Sequence, residues 1–155
     1  RDLVRSRGLG DVYKRQVSVE MALAAPEGRV YAAECDADAC ELICQNRAKF
    51  AVQNLHLTQG LAPEALADWP APDAVFIGGT KGNLRAIVDA ALAANPAARL
   101  CISAIALETL QQAVAALTAH GLTAQVTQIA VSRSRAAGSL HLLMANNPVF
   151  LIVRE

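Results

Sequence analysis

Residues 72–84, read Pro-Asp-Ala-Val-Phe-Ile-Gly-Gly-Thr-Lys-Gly-Asn-Leu, hold the pattern that decides the fold. The opening Pro-Asp pair is typical of a turn, and the apolar run 74–77 predicts a short strand buried on both faces. Gly78 and Gly79 follow at once, where the lack of a side chain allows a sharp turn and the close approach of a ligand. Ligands of open α/β sheets bind outside the carboxyl ends of strands, so this stretch predicts part of a binding site. A glycine turn without a ligand is the alternative interpretation.

The chain around this stretch alternates between helical and strand patterns. A helix capped by Thr80 or Asn83 is predicted next, with an apolar face made by Leu84, Ile87, Val88 and Leu92. Other helices are predicted over 17–25 and from Leu107 to Gly121. A further helix is predicted to end at Phe50 and to begin at a cap that is either Asp36 or Asp38, with Glu41 completing a capping box on Asp38. Strands are predicted at 29–35, 55–59 and 100–103. Two long strands, 123–131 and 140–153, close the chain around a loop that holds Arg133 and Arg135. The order predicts a Rossmann-like α/β fold, with a mostly parallel sheet and an antiparallel edge hairpin.

The composition excludes several classes of protein. The chain has 155 residues, 54% of them apolar and 4% aromatic, which fits one domain with an aliphatic core. Its formal net charge is zero, and nucleic acid as the main partner needs a basic face. No apolar run is long enough to cross a membrane, and no signal peptide is visible. We therefore predict a cytoplasmic location, no nucleic-acid partner and no membrane partner.

The cysteines and histidines do not form a metal-binding pattern. The sequence has no C-x-x-C motif, and no histidine lies near the cysteines, which are Cys35, Cys40, Cys44 and Cys101. We predict that they are small buried apolar residues and that the protein binds no metal. The histidines at 56, 120 and 141 are scattered.

The first sixteen residues differ in origin from the rest. Residues 6–16 resemble the translation of a transposase sequencing adapter, so we predict that 1–16 are non-native and that 17–155 form the domain. On this interpretation Gly8-Leu-Gly10 is not a phosphate-binding loop. We predict that the parent gene encodes a strand and a Gly-x-Gly-x-Gly turn before Val17. The chain as written is then expected to be poorly stable, with Leu3, Val4, Val12 and Tyr13 partly filling the strand position.

Two sets of charged residues are candidates for binding. Glu34 ends the second strand of a βαβ pattern, where a carboxylate can accept hydrogen bonds from both hydroxyls of a ribose. A solvated glutamate or a helix-capping contact is the alternative. Arg133 and Arg135 alternate on one side of a loop or strand end and can bind carboxylates through bidentate hydrogen bonds. A solvated edge that discourages strand pairing is the alternative there.

Six short motifs in a fixed order resemble those of a known enzyme family. They are Val17-Ser-Val-Glu20, Gly60-x-Ala-Pro-Glu64, Asp73-Ala-Val-Phe-Ile-Gly-Gly79, Leu107-Glu-Thr-Leu110, Gln128-x-x-Val-Ser-Arg133 and Asn147-Pro-Val-Phe150. The chain resembles class I methyltransferases that use S-adenosylmethionine, and within them the decarboxylating precorrin-6Y C(5,15)-methyltransferases of cobalamin synthesis, specifically their carboxyl-terminal C(15) module. The family's Asp-x-Gly-x-Gly-x-Gly loop is not found. Leu61 replaces an acidic residue and Ser103 an asparagine.

The resemblance implies a cofactor, a substrate and a site. S-adenosylmethionine is expected to contact Glu34 through its ribose and to lie beside Gly60, Leu61, Ala62, Gly78 and Gly79. The implied substrate is a precorrin, methylated at C-15 with decarboxylation of an acetate side chain. Its expected contacts are Thr80, Asn83, Ser103, Arg133, Arg135 and Asn147. No catalytic proton donor or acceptor is identified.

The resemblance leaves the assembly of the domain and its exact function open. The domain is expected to act alone, as a homo-oligomer, or fused to or paired with a C(5)-methyltransferase module. A class I methyltransferase acting on another small molecule or on RNA, and an inactive fragment as written, are the alternative functions.

Overall fold

The computed structural model describes residues 2–7 and 17–154. Four helices lie in these ranges: α1 (Val17–Ala24), α2 (Ala37–Lys49), α3 (Leu84–Ala94) and α4 (Leu107–Ala119). The strands are β1 (Asp2–Arg7), β2 (Arg29–Glu34), β3 (Leu55–Gln59), β4 (Ala74–Ile77), β5 (Arg99–Ala104), β6 (Ala124–Ile129), β7 (Ser132–Ala137), β8 (Leu140–Ala145) and β9 (Val149–Arg154). A 3-10 turn spans Glu64–Leu66.

Seven strands form one sheet in the order β3-β2-β1-β4-β5-β9-β6. The first five of these are parallel, and β9 runs antiparallel to both β5 and β6. This arrangement confirms the predicted Rossmann-like α/β fold, a mostly parallel sheet with an antiparallel edge. The strand order reverses between β1 and β4, and crevices for ligands form at the carboxyl ends of the strands at such a point.

Strand β1 occupies the centre of the sheet. Its six residues pair with β2 from Asp2↔Arg29 to Arg7↔Glu34, and four of them pair with β4 from Leu3↔Ala74 to Ser6↔Ile77. Leu3 and Val4 are therefore in the strand position that they were predicted to fill. Val12, Tyr13 and the Gly8-Leu-Gly10 segment lie outside the described residues.

Helices cover the sheet on both faces. On one face α1 and α2 pack over β2 and β3 around Val19, Val30, Ile43 and Leu55, all at most 2% exposed. On the other face α3 and α4 pack over β4, β5 and β9. The predicted apolar face of α3 is confirmed, because Leu84, Ile87, Val88 and Leu92 are all buried. No described helix is long and apolar enough to cross a membrane.

The carboxyl-terminal third differs from the prediction in one respect. The stretch 132–137, predicted as a loop, is strand β7, and it pairs with β8 in a separate two-stranded hairpin. The predicted long strand 140–153 is divided into β8 and β9. The cause is the segment 146–148, where Pro148 has no N–H to donate to a ladder.

The cap of α2 is also different in detail. The N-cap is Asp36, whose side chain accepts a hydrogen bond from the Ala39 N–H at 2.9 Å. The capping box of Asp38 with Glu41 does not form, because the helix begins at Ala37 and Asp38 already lies in its first turn. At α3 the N-cap residue is Asn83, but its side chain makes no capping hydrogen bond.

A surface network joins α3 to the end of α4, and it predicts a pH dependence. Asp89 accepts hydrogen bonds from Arg85 Nε at 2.8 Å and from His120 Nε2 at 2.6 Å. His120, and after it Arg85, lowers the pKa of Asp89 below its ordinary value of 3.8. A carboxylate with a depressed folded-state pKa stabilises the fold above its unfolded pKa, and this contribution is lost as the pH falls through the folded-state value.

We expect Asp89→Asn to lower the free energy of unfolding at pH 7 by about 0.5 kcal/mol, since half-exposed ion pairs contribute little. The difference from wild type is expected to shrink as the pH falls below about 4 and to disappear below the folded-state pKa of Asp89. Urea unfolding between pH 3 and pH 7 measures the free energy of unfolding of both proteins. Asp68→Asn is the control, because Asp68 is exposed. A difference between Asp89→Asn and wild type that stays constant across this pH range would contradict the assignment.

Candidate functional site

The predicted site residues meet at the carboxyl edge of the sheet. Glu34 is the last residue of β2 and pairs with Gln59, the last residue of β3. The Gly60 N–H then donates to the Glu34 carbonyl oxygen at 2.9 Å. These two predicted cofactor-binding residues are therefore adjacent on the edge where a ligand of such a sheet binds.

The Glu34 carboxylate is buried, and only one of its two oxygens accepts hydrogen bonds from the part of the chain that the structure describes. The residue is 3% exposed, and its Oε1 accepts hydrogen bonds from the backbone N–H groups of Cys35 at 2.9 Å and Asp36 at 3.1 Å. Among the described residues, Oε2 receives no hydrogen bond. Buried carboxylate oxygens need donors, so Oε2 has the free accepting capacity that binding a vicinal diol requires.

The cysteines around Glu34 only partly follow the prediction. Cys40 is buried and its thiol donates to the Glu34 carbonyl oxygen at 3.4 Å; burial, and after it Glu34, raises the pKa of this thiol. Cys44 is exposed, which is contrary to the prediction, because it follows Ile43 and turns away from the core face of α2. Cys35 and Cys101 are half-buried, and burial raises the pKa of Cys101. The described residues hold no group of three or more side chains suited to a metal ion.

The segment after Gly60 forms a second wall of the edge. Leu61 is 49% exposed, whereas Ala62 is buried. A Cβ at position 60 would lie 3.0 Å from the Ala65 Cβ, so a side chain at this position would require Ala65 to shift. An exposed apolar residue beside a bare backbone suits the face of an aromatic ring, consistent with the predicted contact with adenine.

The loop from Gly78 to Asn83 forms a third wall. Gly78 is buried, and Gly79 and Thr80 are half-buried. The Asn83 side chain donates from Nδ2 to the Ala62 carbonyl oxygen at 3.2 Å and so ties this loop to the second wall. This contact explains why Asn83 does not cap α3 through its side chain.

The sharp turn of this loop is not made by the glycine pair. The left-handed backbone lies at Lys81, with φ of 47°, and at Gly82, with φ of 92°, rather than at Gly78 or Gly79. Lys81 is a site residue that was not identified from the sequence. Its signal was the glycine that follows it, which indicates a tight turn near the ligand edge.

Lys81 reaches the Glu34 side of the edge. The Cys35 side chain beside it raises the pKa of the Lys81 ammonium, and the Glu34 and Asp36 carboxylates act in the same direction. The lysine is therefore cationic at neutral pH.

The remaining predicted residues lie on the other half of the same edge. Ser103 in β5 is half-buried and pairs with Leu151 of β9. Asn147 is exposed and comes just before β9. β6 runs parallel to β5, so its end at Ile129 and the hairpin that follows also lie at this edge. Arg133 and Arg135 are therefore on the same edge as Glu34 but at the opposite half of the sheet, and the structure does not place them in contact with it.

One face of the hairpin combines cations with apolar side chains. Arg133 pairs with Met144, and Arg135 pairs with Leu142; directly paired residues share a face. The exposed fractions of Leu140, Leu142 and Met144 on this face are 65%, 50% and 50%. The face therefore offers two guanidinium groups beside an open apolar surface.

A cavity of about 220 Å³ lies away from this edge. It opens between α3 and the segment 63–72, with Leu66, Trp69 and Ile87 in its lining, and includes none of the predicted site residues. Its walls carry no titratable side chain, so we place the chemistry at the strand ends instead.

Comparison with protein families gives one extended match. The family model described as "Precorrin methyltransferase domain" matches residues 14–154. A probable cobalt-precorrin-6B C(15)-methyltransferase (decarboxylating) of Pyrobaculum calidifontis is 41% identical over 138 residues, which cover 88% of this chain and 71% of that protein. The cobalt-precorrin-6B C(15)-methyltransferase (decarboxylating) of Salmonella typhimurium is 36% identical over the same shares of the two chains.

Solved structures agree with these sequence matches. The precorrin-6Y C5,15-methyltransferase of Geobacter metallireducens superposes with a TM-score of 0.84 at 30% identity, covering 99% of this chain and 78% of that chain. The precorrin 8w decarboxylase of Methanobacterium thermoautotrophicum gives a TM-score of 0.85 at 28% identity, covering 99% and 81%.

Proposed function

The chain belongs to the precorrin methyltransferase family, and from that membership we propose that it methylates a precorrin at C-15 and decarboxylates an acetate side chain of the same substrate, a reaction of cobalamin synthesis. The observation that carries the proposal at the level of this chain is the buried Glu34 carboxylate at the ligand edge, whose Oε2 accepts no hydrogen bond from the residues that the structure describes. We propose S-adenosylmethionine as the methyl donor.

The residues at the edge fit this donor. Glu34 Oε2 has the position and the free accepting capacity to bind the ribose hydroxyls. Gly60, Leu61 and Ala62 offer bare backbone and an exposed apolar side chain for the adenine, in place of the acidic side chain that the family usually has. Gly78 and Gly79 leave room for the amino-acid end, because they carry no Cβ.

The chemistry supplied by the donor is a methyl group already activated by its sulfonium. The protein's task is then to hold the methyl-bearing end in line with one ring carbon and to keep water out. The Asn83 contact with Ala62 serves the first task, since it fixes the Gly78–Asn83 loop against the wall that holds the adenine. Thr80, Ser103 and Asn147 are proposed to contact the substrate at the centre and far half of the edge.

The hairpin face that carries Arg133 and Arg135 suits the substrate of the reaction, the precorrin. A precorrin is a flat tetrapyrrole whose rim carries many carboxylates, and the hairpin sets two guanidinium groups beside apolar side chains. We propose that Arg133 and Arg135 bind rim carboxylates while Leu142 and Met144 contact the macrocycle. In the decarboxylation the bond between the acetate methylene and its carboxyl group breaks, carbon dioxide leaves, and the conjugated ring accepts the electron pair until a proton replaces it.

Domain limits and assembly are further parts of the proposal. We propose that residues 17–155 are the methyltransferase domain and that residues 1–16 are non-native; DNA reads that cross from Gln16 into Val17 test this.

The hairpin face opposite the arginines carries Leu143, which is 77% exposed. We propose that a second copy of the chain covers that face, and light scattering measures the mass. A methyltransferase for another small molecule is the alternative.

The substrate assay is designed around the two arginines. A restored chain, in which the first strand and Gly-x-Gly-x-Gly turn of a relative replace residues 1–16, is expected to transfer a labelled methyl group to a precorrin and to release carbon dioxide, whereas the chain as written is expected to be inactive. The double variant Arg133→Ala/Arg135→Ala is expected to raise the KM for the tetrapyrrole about tenfold, since each exposed charged contact contributes about 1 kcal/mol or less. Its affinity for S-adenosylmethionine is expected to stay unchanged.

Arg99→Ala is the matched control, because Arg99 is exposed and begins β5 at the opposite edge of the sheet. An unchanged KM in the double variant would place substrate binding elsewhere. A restored chain that methylates another small molecule but no precorrin would support the alternative function.

A further inference from the structure

The exposed apolar side chains of this protein are not spread evenly over its surface. Two of them, Leu23 and Phe50, lie near the amino edge of the sheet, where the chain is about to enter β2 and β3. Four others lie at or just after the carboxyl ends of β5 and β6. These are Ile105, Leu107, Ile129 and Val131, with exposed fractions of 54%, 70%, 44% and 42%, and we call them the apolar band. Open apolar surface concentrated in one place marks a surface that meets a partner.

The needs of helix α4 do not explain the apolar residues at its start. The N-cap residue is Ala106, which makes no side-chain hydrogen bond to the first turn, although a polar cap would stabilise the helix. Leu107 is the first residue of the helix and stays 70% exposed, whereas Leu110 packs against the core one turn later. Because exposed side chains contribute little to packing, Ile105 and Leu107 are available to a ligand.

The apolar band lies between the two parts of the proposed site. The strands run in the order β4-β5-β9-β6, so the end of β5 neighbours the end of β4, and the end of β6 continues into the hairpin. Three strand spacings separate β4 from β6, a distance of about 14 Å. The Asn146 N–H donates to the Val131 carbonyl oxygen at 2.9 Å, which ties the base of the hairpin to the band. The band therefore extends from the Gly78–Asn83 loop towards Arg133 and Arg135.

The chemistry of this surface matches the two parts of a flat tetrapyrrole. The stretches that hold the apolar band, 103–107 and 129–131, contain no charged residue, so they can cover a ring face without burying an unpaired charge. The guanidinium groups at the outer end of the band suit the carboxylates on the rim of the ring. A flat ring also needs a wide apolar surface rather than a deep pocket, and the band provides one.

We propose that the apolar band binds one face of the tetrapyrrole and that Ile105 and Leu107 set how far the ring reaches towards the methyl donor. The proposal rests on the proposed function, because it assigns further substrate contacts in the same site. Leu142 and Met144 hold the outer part of the ring on the hairpin, and the band supports the part nearest to the donor. Since methyl transfer needs one ring carbon in line with the methyl group, the inner contacts affect the rate as well as the affinity.

The test compares Ile105→Ser/Leu107→Ser with the parent chain. Affinity for a precorrin is measured by calorimetry in the chain as written, since the band lies outside residues 1–16, and again in the restored chain. The expected loss is about tenfold, because two apolar contacts with a ring face are removed. In the restored chain kcat for methyl transfer is expected to fall as well, whereas the affinity for S-adenosylmethionine stays unchanged.

Two further variants separate a ligand contact from a structural role. Ile105→Val/Leu107→Met keeps the surface apolar and is expected to retain the affinity of the parent chain for the precorrin. Leu23→Ser/Phe50→Ser is the matched control, since it removes two exposed apolar side chains near the opposite edge of the sheet. All three variants are expected to keep the melting temperature of the parent chain, measured by circular dichroism.

Salt separates an apolar contact from an ionic one. Precorrin affinity is measured at about 0.05 M and at about 0.5 M NaCl, because exposed charges are screened over this range. The loss caused by Ile105→Ser/Leu107→Ser is expected to be the same at both concentrations, whereas the loss caused by Arg133→Ala/Arg135→Ala is expected to shrink at the higher one. A loss in the serine variant that shrinks in the same way contradicts an apolar contact.

Each outcome decides the proposal. A salt-independent loss in the serine variant, with the affinity of the parent chain in the apolar variant and in the control, supports it. An unchanged affinity in the serine variant, a loss equal to that of the control, or a melt that is no longer cooperative overturns the role of the band and leaves the proposed function intact. A serine variant that keeps its affinity but changes its mass in light scattering places the band between copies of the chain and also overturns the proposal. A parent chain that binds no precorrin in either form overturns the proposed function and this inference with it.

Discussion

Glu34→Ala, made in a chain whose residues 1–16 are restored to the first strand and glycine turn of a relative, is expected to weaken the binding of S-adenosylmethionine by about 5- to 150-fold, the range that corresponds to 1–3 kcal/mol for hydrogen bonds to a charged group. The reason is geometric. Oε1 already accepts from the Cys35 and Asp36 N–H groups, so the ribose hydroxyls depend on Oε2 of the same carboxylate. Isothermal titration calorimetry at pH 7 measures the loss.

Removing this side chain also leaves two backbone N–H groups without their acceptor, so a second variant is needed. Glu34→Gln keeps one oxygen for those N–H groups and removes the second acceptor. It is expected to retain the wild-type melting temperature and still to lose most of the affinity. Glu41→Ala, on the exposed side of α2, is the control. If Glu34→Gln binds S-adenosylmethionine with wild-type affinity, then Glu34 has a purely structural role at the start of α2.

Deleting residues 1–16 is expected to abolish cooperative unfolding. β1 pairs with six residues of β2 and with four of β4, so its loss separates the sheet at its centre. Unpaired buried N–H and C=O groups cost about 1–3 kcal/mol each, whereas the whole stability of a domain is about 5–15 kcal/mol. A thermal melt followed by circular dichroism measures the change.

The matched control keeps residues 1–7 and replaces 8–16 by a glycine-serine segment of equal length. This variant preserves the strand and is expected to melt cooperatively. If a chain that begins at Val17 melts at the same temperature as the control, then β1 does not contribute to the stability of the sheet. A higher melting temperature on replacing 1–16 with the first strand of a relative would support the proposal that this segment is non-native.

Much of the fold could be predicted because local patterns agree with the tertiary structure. The strands 55–59 and 74–77 were predicted with the bounds that they have, since turn residues flank an alternating pattern in the first and an apolar run in the second. The hairpin was missed for the opposite reason. Ser132–Ala137 contains no apolar run, and its strand conformation depends on pairing with β8 rather than on its own composition.

The site was predictable where its function follows from strand position. Glu34 and Gly60 end neighbouring strands, and parallel strands bring their carboxyl ends together whatever the intervening sequence. Lys81 was not predictable in this way. Its direction depends on the left-handed turn that it shares with Gly82 and on the contact between Asn83 and Ala62, neither of which leaves a periodic signal in the sequence.

The position of β9 has a consequence for synthesis on the ribosome. β9 lies between β5 and β6, yet it is made after both of them and after the whole hairpin. At about 5–20 residues per second, the facing edges of β5 and β6 stay without a partner for several seconds. During that interval the nascent chain exposes two open strand edges, together with the apolar β8, to other chains. Chaperone dependence during translation is therefore expected to be greatest just before residues 149–154 emerge.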